Sequence, residues 1–273
     1  MHGYGIVVVD SSCYGPLSHA LAQRTFSSNL RAAGWIAQPT ELNLIEVAAT
    51  QNVSIRRRLL DVMREVTGDQ PLLAWPLRLL REVSRSMLRG ELYYNPPASG
   101  REHYLYDEST IAALVKETRS LSERIESAND ELHARQRKNF QRFFKSIGKP
   151  EYHTTIPTFL DLEWAPSDWR VDHARATWSA IGLPGDAPME LLDKNEVWKI
   201  FLEAEGAAVF ERTVAVEMPA RVGRLDLLQL IYLPLAKRRM IVSADKSLLR
   251  VAGAILHGRY KDARAVHIAD LTR

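Results

Sequence analysis

The chain has 273 residues, 46% of them hydrophobic and 25% charged, a balance that fits one large globular domain, or a domain with a sizeable insertion, and argues against disorder. A formal net charge of +3 and a pI near 9.0 permit an anionic partner without requiring one. The single cysteine, Cys13, excludes an intrachain disulfide, and no apolar run approaches the roughly 20 residues that span a bilayer, so the expectation is a cytoplasmic protein with no membrane association.

In chain order, Ile6-Val7-Val8-Val9 is a β-branched run closed by Asp10-Ser11-Ser12. It predicts a strand buried on both faces, as in a parallel sheet, and is too short for the apolar region of a signal peptide. Residues 16–33 predict a helix ended by Gly34, and residues 35–38 a short second strand. Pro39-Thr40 opens a helix through Ala49, another runs over 54–66 to Gly68, and residues 71–87 predict one more. The aromatic, Pro-rich stretch Tyr93-Tyr94-Asn95-Pro96-Pro97 marks a boundary. Over 107–147, Ile111, Leu114, Val115, Thr118, Leu121, Ile125 and Leu132 recur at spacings of three and four, giving one long amphipathic helix or two in line. Residues 154–164 read as extended, 170–210 as mainly helical, and 213–218 alternate like a strand. The last segment returns to helix (225–237), strand (240–243), helix (246–256) and strand (265–268). The fold class expected is α/β: a parallel sheet flanked by helices, formed by both chain ends, 1–91 and 216–273, with a mainly helical insertion over 92–215.

Four acids stand out in this frame. Asp10 and Asp245 each follow a short apolar strand, and ligands of open parallel sheets sit beyond the carboxyl ends of the strands. Asp226 opens a helix of about 12 residues that travels roughly 18 Å. After Lys237-Arg238-Arg239 a strand of about five or six residues returns roughly 17–20 Å. The two lengths nearly cancel, which places Asp226 and Asp245 at one edge of the sheet. Glu46 shares a helix face with Leu42 and Ala49, and a carboxylate on an apolar face is costly unless its charge is compensated. Carboxylates gathered in one crevice repel, and Mg²⁺ or Mn²⁺, which prefer hard oxygen ligands, relieve that repulsion. A cation so held activates water and stabilises an in-line phosphoryl transition state.

These residues carry a resemblance. Val9-Asp10-Ser11-Ser12 resembles the opening Asp-x-Ser of PIN-domain nucleases. Pro39-Thr40-Glu41-Leu42-Asn43-Leu44-Ile45-Glu46 is similar to their second acidic segment. The stretch from Asp226 through Leu227, Leu228 and Gln229 resembles the helix of the third acid. Ile241-Val242-Ser243-Ala244-Asp245 is similar to a strand ending in Thr-x-Asp, with Ser243 in the threonine place. The resemblance covers roughly 5–90 and 220–270. It implies a PIN-like, VapC-like core, a metal-dependent endonuclease acting on RNA in preference to DNA, and Asp10, Glu46, Asp226 and Asp245 as catalytic and metal-holding residues with Ser12 and Ser243 in support. The alternative is a non-catalytic PIN-like scaffold that binds RNA or a protein partner, or a second copy of itself, through the insertion.

Each residue also has a plainer reading. Asp10 and Asp245 are good helix caps, Asp226 a first-turn acid favoured by the helix dipole, Glu46 a solvated helix residue, and Ser12 a turn hydroxyl. Arg135, Arg137, Lys138, Arg142 and Lys145, interleaved with Phe140, Phe143 and Phe144, offer a nucleic-acid-binding face, whereas the three- and four-residue spacing of the rings favours an ordinary core stripe. Arg56-Arg57-Arg58 and the row Arg78, Arg81, Arg85, Arg89 read similarly, as solvated faces first. His153, Asp161, Glu163 and His173 match no common zinc spacing. Gly3-x-Gly5 precedes its strand and is no dinucleotide fingerprint, and neither a P-loop nor a Gly-x-Ser-x-Gly elbow is present. Cys13 reads as a small packing residue.

Overall fold

A computed structural model describes residues 5–91, 112–113, 116, 167–213, 224–257, 260 and 262–273. Four β-branched or apolar runs form β1 (Gly5–Val9), β2 (Trp35–Gln38), β3 (Arg239–Ser243) and β4 (Ala263–His267). Among the described residues they make one sheet, all parallel, in the order β2-β1-β3-β4. Register pairs Val8 with Gln38, Val9 with Val242 and Ser243 with His267. The chain leaves β1 toward one edge and later comes back past it, so the strand order reverses between β1 and β3. The carboxyl ends beside such a switch point open a crevice.

The period-two alternation of strand side chains explains why β1 is apolar at every position. Val7 and Val9, with Met240 and Val242, belong to one buried cluster, and Val8 with Ile241 to the other. The first cluster is covered by α1 (Tyr14–Leu17), α2 (Ala20–Ala32) and α4 (Val53–Thr67) through Leu17, Phe26, Leu30, Leu60 and Met63. The helix α3 (Glu41–Ala48) straddles both clusters: Leu42 packs in one, Leu44 and Val47 in the other, and Ile45 against both. The second cluster is covered by α5 (Pro76–Leu88), α6 (Ser167–Ala180), α7 (Met189–Leu192) and α8 (Glu196–Thr213). The helix α9 (Arg224–Leu228), continued by a 3₁₀ segment Gln229–Leu235, and α10 (Lys246–Leu256) complete that layer.

The helices α6 to α8 fall inside the stretch read from sequence as an insertion. Trp178, Trp198 and Phe201 nevertheless share one cluster with Val8 and Ile241 of the sheet, so these helices form a wall of the same core.

Other differences have local causes. The helix expected over 16–33 is broken at His19, which is extended (φ −85°, ψ 121°); the Ser18 hydroxyl closes the preceding turn on the Gly15 carbonyl at 2.7 Å. The helix expected from 71 starts at Pro76, because proline forces the residue before it, Trp75, to be extended and is itself suited to the first helical position. Residues 71–75 run beside the start of α3 instead, where Glu41 N–H donates to Leu73 O and Leu73 N–H to Pro39 O, both at 2.9 Å. Gly5 faces the Trp35 ring so closely that any β-carbon there would collide with it. Thr213 closes α8, and the rest of the expected strand over 213–218 lies outside the described residues. So does the expected extended stretch 154–164, and so does the expected helix over 107–147, apart from Ala112, Ala113 and Lys116, which are helical. No described helix is long and apolar enough to cross a membrane.

Candidate metal centre

Three elements deliver three carboxylates to the mouth of the crevice. Asp10 follows β1 and is only 3% exposed. Glu46 comes from the second turn of α3 and is half-buried, and Asp226 lies in the first turn of α9 and is half-buried too. One oxygen from each lies within 4.8 Å of the other two. The helix α3 brings Glu46 inward because both flanks of the helix are buried in the two clusters.

The electrostatics follow from this crowding. Burial, together with the nearby Asp10 and Asp226 carboxylates, pushes the Glu46 carboxyl up to about 7, against a lowering hydrogen bond from Ser11. Glu46 Oε2 is buried and finds no hydrogen-bond partner among the described residues. Asp10, by contrast, is surrounded by donors: Ser243 Oγ–H at 2.7 Å and Ser12 Oγ–H donate to Oδ2, and the Gln229 side-chain amide donates to Oδ1 at 2.7 Å.

No protein-family model, no curated protein and no solved structure matches this chain.

The chemistry of the site therefore rests on its own residues. Three hard-oxygen donors from separate elements, one of them a buried oxygen without a partner among the described residues, could hold a metal ion. An orphaned buried carboxylate oxygen costs free energy that a cation would offset.

Asp245 is not part of that group of three. It lies two residues beyond β3, at the same edge of the sheet, and caps α10, accepting from Ser247 N–H at 2.7 Å and Leu248 N–H at 3.4 Å through Oδ1. The capping reading thus describes Asp245 and does not describe Asp10, whose side chain makes no cap hydrogen bond. Ser12 and Ser243 both touch Asp10, and each also accepts a backbone N–H, from Ala244 at 3.1 Å and Asp245 at 2.9 Å. The basic residues Arg135, Lys138, Arg142 and Lys145 lie outside the described residues. Cys13 is buried, and burial and the adjacent Asp10 push its thiol far up, which suits a packing residue and not a nucleophile. His173 is fully buried, with Nε2 3.4 Å from Glu205 Oε2 and its ring stacked on Phe201; the other members of the zinc set considered for it lie outside the described residues.

Sequence reasoning missed two residues of the centre, Gln229 and Asn43, which are 0% and 1% exposed. A signal for both existed. Gln229 stands three positions after Asp226 and Asn43 three before Glu46, so each shares a helix face with an acid on an otherwise apolar segment.

Proposed function

We propose that the chain is a metal-dependent phosphodiester hydrolase, an endonuclease of PIN type acting on RNA in preference to DNA. The observation that carries this reading is the meeting of Asp10, Glu46 and Asp226 at the carboxyl end of a parallel sheet, with a buried Glu46 oxygen that lacks a partner among the described residues. The sequence resemblance of the four acidic segments adds the reaction class. Asp10, Glu46 and Asp226 would hold Mg²⁺ or Mn²⁺. When bound, such a cation supplies the positive charge that activates water and steadies the phosphoryl group during in-line displacement. Ser12 and Ser243 keep Asp10 in place by donating to Oδ2. Glu46, with its raised affinity for a proton, would hold the cation as a carboxylate once that proton is released. Asp245 would serve from the rim, through the oxygen that the α10 cap leaves over.

The test is cleavage of labelled RNA and DNA polymers in Mg²⁺ and Mn²⁺. Asp10→Asn and Asp226→Asn are expected to lose more than about 100-fold in rate with folding intact, since even outer partners of a metal are worth up to that factor. Wild-type rates in both variants, or cleavage that persists in EDTA, would overturn the reading. Tight RNA binding with no cleavage in Mn²⁺ would support the scaffold alternative instead.

A further inference from the structure

A buried line of polar side chains runs from the start of α3 to Asp10. Thr40 caps α3, its Oγ1 accepting from Asn43 N–H at 3.1 Å, and its hydroxyl proton goes to Asn43 Oδ1. The Asn43 amide donates to Gln229 Oε1 at 3.1 Å, and the Gln229 amide donates to Asp10 Oδ1 at 2.7 Å. Thr40, Asn43 and Gln229 are each at most 1% exposed. A buried polar group costs free energy unless it is paired, so a run of three such residues in an apolar layer needs a reason.

The direction of the line is fixed by its end. A carboxylate only accepts, so Gln229 must turn its NH₂ toward Asp10 and its oxygen toward Asn43. Asn43 must then offer its own NH₂ to Gln229 and its oxygen to Thr40. At the other oxygen, Ser12 and Ser243 each accept a backbone N–H and turn their protons to Oδ2. Among the described residues Oδ2 thereby has two donors and Oδ1 has one. Each carboxylate oxygen has room for about two partners, which leaves the open lone pair on Oδ1.

We propose that Thr40, Asn43 and Gln229 form a directional hydrogen-bond relay that fixes the Asp10 carboxylate and reserves one lone pair of Oδ1 for the cation, with Gln229 as the positioning residue. The inference rests on the metal reading above and goes beyond it, because it assigns a task to an amide that holds no cation itself. Ligating carboxylates that are themselves hydrogen-bonded keep their orientation, and loss of such a partner typically costs about 10–100-fold in metal affinity.

The experiment is Mn²⁺ titration of the full chain, followed by electron paramagnetic resonance, with thermal unfolding recorded in parallel. Gln229→Met keeps the side-chain length and removes the donor; it is expected to weaken Mn²⁺ binding by about 10–100-fold. Asn43→Leu acts only through Gln229 and is expected to fall at the lower end, about 10-fold. The double variant should bind no more weakly than Gln229→Met alone, because the two residues act in series. Ser84→Ala is the control: Ser84 is buried and bonded to Leu80 O and the Trp198 indole, far along the chain from these residues, and its loss should lower stability without changing Mn²⁺ affinity. Should a variant fail to fold, Mg²⁺ titration of the wild-type chain gives the second reading: the side-chain NH₂ signals of Gln229 should shift on binding. Wild-type Mn²⁺ affinity in folded Gln229→Met, or Gln229 signals that stay put while Mg²⁺ binds, overturns the relay and leaves the metal reading standing. Absence of Mn²⁺ binding by the wild-type chain overturns both.

Discussion

Glu46 is largely buried beside the carboxylates of Asp10 and Asp226, and its carboxyl responds by holding its proton up to about pH 7. The unfolded chain releases that proton near the ordinary value of 4.5. Between the two pH values the folded state binds more protons than the unfolded state, so in metal-free protein stability falls as pH rises through this window. Below it the group is protonated in both states and contributes nothing; above it the full penalty stands, roughly 3 kcal/mol at most, since the side chain keeps some solvent contact. Glu46→Gln removes the titration. Denaturant unfolding in EDTA from pH 4 to 8 should therefore give curves for the two proteins that coincide at the acid end and diverge above about pH 5, with the variant the more stable near pH 8. Parallel curves across the range would refute this account of the site. The cost of Glu46 was legible in the sequence, because a carboxylate on an apolar helix face asks for compensation. The place of Gln229 left a trace as well, on one helix face with Asp226 in an apolar segment, but its role did not. An amide on a helix reads as a surface residue until the sheet and α3 close over it, and only tertiary placement does that.

Two aspartates follow two neighbouring strands, yet they end in different states, and the difference lies in the elements that come next. After β1 the chain enters a 3₁₀ turn, Ser11–Cys13, whose Ser12 reaches back to Asp10. After β3 it enters α10 at once, and the unpaired N–H groups of its first turn claim Asp245. The helix-out, strand-back argument placed Asp226 and Asp245 at one edge of the sheet, and both are found there, although the outward element is a short α-helix continued by a 3₁₀ segment that contains Pro234. Edge and side-chain direction are separate questions: strand ends are set by chain length, whereas a cap is set by local backbone donors. Two substitutions separate them at Asp245. Asp245→Ala should cost about 1 kcal/mol through loss of the cap, and Asp245→Asn, which still accepts the N–H bonds, should cost only a few tenths. If the charge also serves the site, Asp245→Asn will lose cleavage while keeping its melting temperature. Cleavage equal to wild type in Asp245→Asn would confine this residue to capping.

On the scale of the whole molecule, β1 and β3 are buried on both faces, and part of the wall over one face comes from residues 167–213, far along the chain from β1. The expected boundary at Pro96-Pro97 lies outside the described residues, and the sequence carries no such mark near residue 167. A different signal was present. The helix α8 buries Val197, Trp198, Ile200, Phe201, Leu202, Ala204, Ala207 and Ala208, and a helix apolar on nearly every side belongs in a core. Its fully buried Trp198 meets Trp178 at 6.1 Å and Phe201 at 5.6 Å between ring centroids, and its indole N–H reaches Ser84 of α5 at 2.9 Å. An independently folded insertion would melt apart from the sheet; a shared core must melt with it. Trp198→Ala should cost about 3–5 kcal/mol, the usual loss for an emptied tryptophan site. That loss should appear equally in the protection of β1 and β3 amides and in that of α6 and α8. Hydrogen exchange under rising denaturant reads both at once. Common destabilisation of strands and helices is the expected outcome, since they share Val8, Ile241, Trp178 and Phe201 as neighbours in one cluster. Loss of protection confined to residues 167–213, with β1 and β3 unchanged, would show that these helices are an appended layer and would detach them from the frame that holds Asp10 and Asp226 in place.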